Sequence, residues 1–279
     1  MSIIVTDLDG TLLNDDKEIS ILDRQTIIKM HKNNTIIIAS GRANSDIKEM
    51  LIKNQIHNYI LPFIICRNGQ EIYDIMSKRM IYENYLTFDI IKGIVSILEA
   101  NNVYWYGIDK YTAYFKEIKY NCLKYKKSGK YFMKEIKDID ELKNIMIEKF
   151  MINEVSESKI EKIKMIIKEE YDVDFMKFNL EKRYKDTYFK QNMITMKNVN
   201  KYNALIILKN KLNLSGNVIS LGNGVNDYEL LKNSSYGICV RNGDVNIKNV
   251  ANFITKSNND NSFTYAMEYI LKKGQSKKM

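Results

Sequence analysis

Short runs of consecutive apolar residues, separated by helix-like patterns, place the strongest limit on how this chain folds. Such runs occupy residues 3–5, 35–39 and 60–66, and each has the length of one buried strand. The first helical pattern is expected to begin at Ser20, whose hydroxyl suits an N-terminal cap. Strands that are apolar on both faces and alternate with helices are typical of a parallel sheet covered by helices on both sides.

The same alternation returns near the C-terminus, where apolar strands are predicted at residues 218–221, 236–240 and 252–255. A helix predicted at residues 202–212 precedes them. The two ends of the chain therefore resemble halves of one α/β core.

Between these halves the pattern changes. Aromatic strands at residues 103–108 and 112–116 follow each other with only a tight turn between them, which indicates an antiparallel sheet with helices on one side. We predict an α/β fold: a doubly wound, mainly parallel (Rossmann-like) sheet core with an inserted α+β domain. The core takes residues 1–82 and 190–279, and the insertion takes residues 83–189.

The composition excludes several classes of protein. Of the 279 residues, 45% are hydrophobic and 28% are charged, as in ordinary folded proteins. No apolar run approaches the ~20 residues of a membrane span, and the first residues lack the basic stretch of a signal peptide. Three widely spaced cysteines, Cys66, Cys122 and Cys239, do not suit a disulfide scaffold or a structural zinc site. We expect a cytoplasmic protein that does not enter a membrane.

The net charge of +9 comes from 43 Lys and Arg residues against 34 Asp and Glu residues, and such a surplus favours anionic partners. The lysines are interleaved with glutamates along helix faces, as on a solvated surface. No nucleic-acid-binding module accompanies the charge, so we expect no nucleic-acid partner. A monomer and a homodimer are both compatible with the sequence.

Two carboxylates, Asp7 and Asp9, follow the first predicted strand in the stretch Asp-Leu-Asp-Gly-Thr-Leu-Leu. Residues two apart can point into one crevice, and ligands bind at this end of the strands in open α/β sheets. Gly10 permits a sharp turn beside them. Burying two acids without a cation is costly, so a metal or a polar substrate is implied. The alternative is an exposed turn between strand and helix.

Three further polar clusters lie at strand ends or helix starts. Ser40-Gly41-Arg42 follows the second strand, Lys201 starts a helix, and residues 222–227 follow another strand. Each alone is weak, because Ser-Gly is an ordinary turn and lysines are common on helices. The last cluster lacks the third glycine of a dinucleotide-binding loop. Four clusters in this order are far more specific than any one.

The four clusters, taken in order, resemble the four sequence motifs of the haloacid dehalogenase-like hydrolases. Within that family the chain is most similar to the Cof-type sugar-phosphatase branch with a type IIB cap. The first and second motifs are similar to residues 7–13 and 37–42. The third and fourth are similar to residues 199–205 and 222–231. Residues 67–69 and 254–258 match as well. The inserted domain matches in position and size but not in motif.

The resemblance implies hydrolysis of small phosphorylated metabolites, most simply sugar phosphates, through a covalent aspartyl phosphate. Asp7 would be the nucleophile, and Asp9 would protonate the leaving group and then activate water. Ser40 and Lys201 would hold the phosphoryl oxygens. Further substrate-binding positions that it implies are Thr11, Gly41, Arg42, Asn68, Gly69 and Asn226.

The resemblance also implies Mg²⁺, bound by Asp7, the backbone carbonyl of Asp9, and Asn223 and Asp227. Asn223 departs from the family, which usually has Asp there. Three interpretations stay open: Asp227 takes over as the charged ligand, the enzyme is slow or needs more magnesium, or the chain binds phosphorylated ligands without efficient turnover. A phosphomutase of similar fold is a further alternative.

Overall fold

The computed structural model describes residues 1–116, 132–153, 156–184 and 187–276. The chain divides into two units, Met1–Glu83 with Val199–Met279 and, inserted between these segments, Asn84–Asn198. One strand of the inserted unit runs from Thr187 to Met196, so residues 190–196, which we assigned to the core, belong to the inserted unit. Cys122 lies outside the described residues.

The regular elements follow the predicted alternation. The described strands are β1 (Ile3–Thr6), β2 (Thr35–Ile38), β3 (Phe63–Cys66), β4 (Glu71–Asp74), β5 (Arg79–Glu83), β6 (Trp105–Ile108), β7 (Thr112–Phe115), β8 (Phe132–Glu135), β9 (Lys149–Asn153), β10 (Val173–Tyr184), β11 (Thr187–Met196), β12 (Val218–Gly222), β13 (Tyr236–Cys239) and β14 (Phe253–Ile254). The described α-helices are α1 (Ile21–His31), α2 (Asn44–Lys53), α3 (Phe88–Ala100), α4 (Glu157–Glu170), α5 (Lys201–Lys211), α6 (Tyr228–Asn233), α7 (Val245–Lys248) and α8 (Ser262–Ser276).

The first unit is built on a sheet of five parallel strands in the order β14-β13-β12-β1-β2. β3 lies beside the end of β2, where Ala39 and Ile65 form a parallel bridge. The predicted doubly wound, mainly parallel core is confirmed. We missed the hairpin of β4 and β5, which pairs antiparallel with β3. Its turn is closed by Asp74, whose side chain accepts the N–H groups of Met76 and Ser77.

Both faces of this sheet are buried. Along β1, Ile4 packs into one hydrophobic cluster, while Ile3 and Val5 pack into another. The first cluster includes residues of α1, α2 and α8, and the second includes residues of α5 and α6. This explains why the strands are apolar at every position rather than at alternate ones. The expected cap of α1 is present, because the Ser20 hydroxyl accepts the N–H of Asp23.

The inserted unit has a six-stranded sheet in the order β10-β11-β9-β6-β7-β8. Its strand pairs are antiparallel, except that β7 and β8 run parallel, which the sequence did not indicate. Helices α3 and α4 pack on one face of it, where their apolar residues form one cluster with Phe150 and Ile152 of β9. The predicted α+β insertion is confirmed in this form. Among the described residues, each helix is too short or too polar to cross a lipid bilayer.

Candidate active site

A buried lysine joins two carboxylates at the carboxyl ends of the central strands. Asp7 directly follows β1, and its N–H donates to the carbonyl of Leu221 in β12 at 3.0 Å. Lys201 is the first residue of α5, which the side chain of Asn200 caps. The Lys201 Nζ atom lies 2.6 Å from Oδ1 of Asp7 and 2.6 Å from Oδ1 of Asp227. Lys201 and Asp227 are 0% exposed, and Asp7 is 4% exposed.

Asp7, Lys201 and Asp227 form a buried triad. Its charges do not cancel, because one ammonium faces two carboxylates. Burial raises the pKa of Asp7 to about 6 and Asp227 adds to the increase, while Lys201 acts in the opposite direction. Burial alone would lower the pKa of Lys201, but the two carboxylates outweigh it and raise that pKa. The triad therefore carries one uncompensated negative charge when all three groups are ionised.

Asp227 also shapes the loop after β12. Its second oxygen, Oδ2, accepts the backbone N–H groups of Asn223 at 2.9 Å and Gly224 at 3.0 Å. Both carboxylate oxygens of Asp227 thus have hydrogen-bond donors from the protein. The Asn223 side chain lies directly against Gly10, so that a Cβ atom there would stand 2.5 Å from its Nδ2. Gly10 also has a φ of +71°, and the position suits only glycine.

Asp9 lies on the loop after β1, where it is partly exposed, and is held by two cations. Arg42 donates from Nε to Oδ2 at 2.6 Å and from Nη2 to Oδ1 at 2.7 Å, and Lys17 donates to Oδ1 at 3.0 Å. The Arg42 hydrogen bonds, reinforced by Lys17, lower the pKa of Asp9 to about 2 despite partial burial. Asp9 is therefore ionised at neutral pH in this arrangement, and it can donate a proton only after these cations release it. The sequence analysis missed Lys17.

Ser40, Asn68 and Asn226 come together at the ends of β2, β3 and β12. Ser40 is buried, and its carbonyl accepts the N–H of Asn68 at 3.1 Å. The Asn68 Oδ1 atom in turn accepts a hydrogen bond of 2.8 Å from Nδ2 of Asn226. Gly41 lets this amide approach, since a Cβ atom there would lie 2.8 Å from Asn68 Oδ1. These polar groups line the same edge of the sheet as the triad.

Residues Arg67, Asn68 and Gly69 are consecutive left-handed residues with φ values of 48°, 58° and 100°. A Cβ atom on Gly69 would overlap the carbonyl oxygen of Asn200, directly before Lys201. The turn is anchored by a buried ion pair of 3.1 Å between Arg67 Nε and Glu71 Oε1. Strained backbone of this kind is concentrated at functional sites. The sequence analysis missed the role of Arg67 and Glu71.

All twelve predicted site residues lie in the first unit, in separate groups. Lys201 gathers Asp7 and Asp227, Arg42 binds Asp9, and Asn68 binds Asn226. Thr11 stands apart, because its buried hydroxyl finds no hydrogen-bond partner within the described ranges.

The donor set around Asp7 suits a hard cation. In the part of the chain that the structure describes, no three His, Cys, Asp or Glu side chains gather as ligands of one metal ion. Mg²⁺ does not require such a cage, because it keeps several waters and takes one or two carboxylates with substrate oxygens. The carboxylate of Asp7, the main-chain carbonyl of Asp9 and the amide of Asn223 are oxygen donors, and the triad has a surplus negative charge. Asp227 could act directly through Oδ1, which accepts a hydrogen bond from Lys201 and retains a second lone pair.

A buried ammonium between two carboxylates, at the edge where parallel strands end, has the character of an enzyme's catalytic centre. The chain belongs to the haloacid dehalogenase-like hydrolases, whose sequence model matches residues 4–267. The 5-amino-6-(5-phospho-D-ribitylamino)uracil phosphatase YcsE of Bacillus subtilis is 23% identical over 271 residues, covering 96% of this chain and 95% of the relative.

Two solved structures share the fold over both units. BT1666 from Bacteroides thetaiotaomicron, a phosphatase of the superfamily, matches with a TM-score of 0.74 and 16% identity, covering 96% of this chain and 94% of that one. The subclass IIB sugar phosphatase BT4131 matches with a TM-score of 0.68 and 17% identity, covering 97% and 99%. At these identities the likeness is one of fold.

Proposed function

We propose that this protein is a Mg²⁺-dependent phosphatase that hydrolyses small phosphorylated metabolites, most simply sugar phosphates. The observation that carries the proposal is the buried contact of Lys201 with Asp7 and Asp227 at the carboxyl end of the sheet. The family and the activities in the names of the relatives support it.

In this proposal Asp7 is the nucleophile. One of its carboxylate oxygens attacks phosphorus as the bond to the leaving oxygen breaks, and an aspartyl phosphate forms on Asp7. Asp9 gives its proton to the leaving oxygen. Asp9 then takes a proton from a water molecule that attacks the same phosphorus, so that inorganic phosphate leaves and Asp7 is restored. Because Arg42 and Lys17 keep Asp9 ionised, substrate binding must draw at least Arg42 away, so that Asp9 takes up from solvent the proton that it gives to the leaving oxygen.

The other groups act by position and charge. Lys201 fixes the Asp7 carboxylate and offers positive charge to the phosphoryl group, and Ser40 offers its hydroxyl to a phosphoryl oxygen. Asp7, the Asp9 carbonyl, Asn223 and Asp227 would hold Mg²⁺, whose charge would offset the negative charge of the phosphoryl oxygens. We propose that the inserted unit is the type IIB cap that the family resemblance implies.

Asn223 keeps two other possibilities within the proposal. An amide contributes an oxygen ligand without a charge, which favours weaker magnesium binding than a carboxylate would give. The loss of one negative charge at residue 223 leaves two alternatives: a slow enzyme, or a family member that binds phosphorylated ligands without efficient turnover. We also propose a cytoplasmic location and a monomer or homodimer; the two buried thiols Cys66 and Cys239 suit a reducing compartment.

The proposal is tested by screening phosphorylated metabolites for release of inorganic phosphate, with Mg²⁺ and with a chelator. The panel includes sugar phosphates and 5-amino-6-(5-phospho-D-ribitylamino)uracil. We expect Mg²⁺-dependent release that Asp7→Asn abolishes. Transfer to a sugar acceptor without release to water would identify a phosphomutase instead. Binding of phosphorylated ligands with no turnover at any magnesium concentration would identify a ligand-binding protein.

A further inference from the structure

The segment at residues 254–258 matches the family without a role in the proposed reaction, and the structure suggests one. Three side chains from residues 242–262 donate to three carbonyl groups of the loop after β1. The Ser262 hydroxyl donates to the Thr11 carbonyl at 2.8 Å. The Asn258 amide donates to the Leu13 carbonyl at 3.1 Å, and the Asn242 amide donates to the Gly10 carbonyl at 2.9 Å.

Each of these donors is itself fixed at a second point. The carbonyl of Ser262 accepts the hydroxyl of Thr255 at 2.9 Å. The backbone N–H of Asn258 donates to Oδ1 of Asn242 at 3.0 Å, and its amide also donates to Asp15 at 3.1 Å. Ser262 is 0% exposed and Asn258 is 4% exposed. Ser262 and Asn258 are therefore buried supports, and the exposed Asn242 is joined to Asn258.

The loop cannot replace these bonds from within. Its own backbone supplies two hydrogen bonds, from the N–H groups of Thr11 and Leu13, and both go to the carbonyl of Leu8. A buried carbonyl that loses its donor bears the full cost of desolvation, so the loop would shift to recover a partner. Because Asp7 and Asp9 stand on this loop, such a shift would move both proposed catalytic carboxylates.

We infer that Ser262, Asn258 and Asn242 are positioning residues for the phosphoryl transfer, acting through the backbone of residues 10–13 rather than on the substrate. Ser262 is the most important of the three, because its hydroxyl and the Thr11 carbonyl to which it donates are both buried. The inference rests on the proposed function, since it is the alignment of Asp7 and Asp9 that the support would maintain. Misplacement of a reacting group by about 1 Å can cost on the order of 100-fold in rate.

The test compares Ser262→Ala with Ser220→Ala. Ser220 is also 0% exposed, and its hydroxyl donates to the Leu230 carbonyl at 3.3 Å, away from the loop. We expect both variants to lower the midpoint of urea unfolding to a similar extent. Only Ser262→Ala should lower kcat, by about 10-fold or more with KM within about twofold, and Ser262→Thr, which keeps the hydroxyl, should restore most of it. Equal kcat values in Ser262→Ala and Ser220→Ala would overturn the inference.

If Ser262→Ala does not fold, Asn242→Ala replaces it in the test, because Asn242 is exposed. Its control is Asn246→Ala, since Asn246 is a surface asparagine of α7. A kcat lowered in Asn242→Ala alone supports the inference, and equal values overturn it. Amide hydrogen exchange at Thr11 and Leu13 separates this inference from the proposed function, because it needs no activity. If exchange is faster in Ser262→Ala than in Ser220→Ala but the protein has no phosphatase activity, Ser262 supports the loop and the proposed phosphatase function is wrong. Unchanged exchange would reject the support.

Discussion

Replacing Lys201 by methionine tests the centre of the site directly. The change keeps a long, unbranched side chain and removes the charge that lies between Asp7 and Asp227. Both carboxylates would then be buried without a cation, and Asp227 would keep only its two backbone donors. Breaking a buried ion pair by removing one partner costs about 3–5 kcal/mol. We expect the free energy of unfolding to fall by an amount in that range.

The variant should also respond to pH in a characteristic direction. Without Lys201 the main cause that lowers the pKa of Asp7 is gone, and burial raises the pKa of this residue further above its ordinary value. A carboxyl group whose pKa is higher in the folded state than in the unfolded state binds a proton more tightly in the folded protein. Its protonation therefore stabilises the fold. Stability should therefore rise as pH falls from 7.5 to 5, by up to about 1.4 kcal/mol per pH unit for each proton taken up.

The measurement is urea unfolding followed by circular dichroism at several pH values. Lys211→Met, a change at the exposed end of the same helix, is the matched control and should behave like the unchanged protein. If Lys201→Met were as stable as this control at pH 7.5, and did not gain stability on acidification, the buried lysine with two carboxylates would not exist as described.

Three other outcomes follow from the site. Gly69→Ala should lower the free energy of unfolding by more than about 1 kcal/mol, because φ of Gly69 is +100° and a Cβ atom would overlap the Asn200 carbonyl. Unchanged unfolding in urea would contradict this close approach. Phosphatase activity should fall as pH drops through about 6, since burial raises the pKa of Asp7 and a protonated carboxyl is a poor nucleophile; a pH–rate profile that stays flat down to pH 5 would oppose this. Arg42→Met should raise the pKa of Asp9 from about 2 towards its ordinary value, and carboxyl NMR titration would show no movement if the ion pair were absent in solution.

The parts of the fold that depend on local pattern could be predicted from the sequence. Strands buried on both faces are nearly continuous apolar runs, and their alternation with helices placed β1, β2 and β12 in a parallel sheet. Parallel strands bring their carboxyl ends to one edge, which is why Asp7 and the 222–227 loop were expected to meet.

Contacts between distant segments could not be predicted in this way. The hydroxyl of Ser262 supports the carbonyl of Thr11 across 251 positions of sequence, and a serine at a helix start is too common to indicate it. Lys17 reaches Asp9 only because the loop turns back on itself, and Lys17 is one of many exposed lysines. The Asn68-Gly69 step is a local signal for a left-handed turn, but it does not indicate that Arg67 pairs with Glu71.

The position of β1 between β2 and β12 has a consequence for how the chain is made. β2 leaves the ribosome soon after β1, but β12 follows only after the whole inserted unit, so one side of β1 stays unpaired through most of synthesis. Pairings between such distant residues form slowly, and an unpaired edge invites association with other chains. The inserted unit is one continuous stretch of chain, whereas the five-stranded sheet of the first unit is complete only once the last third of the polypeptide has been made.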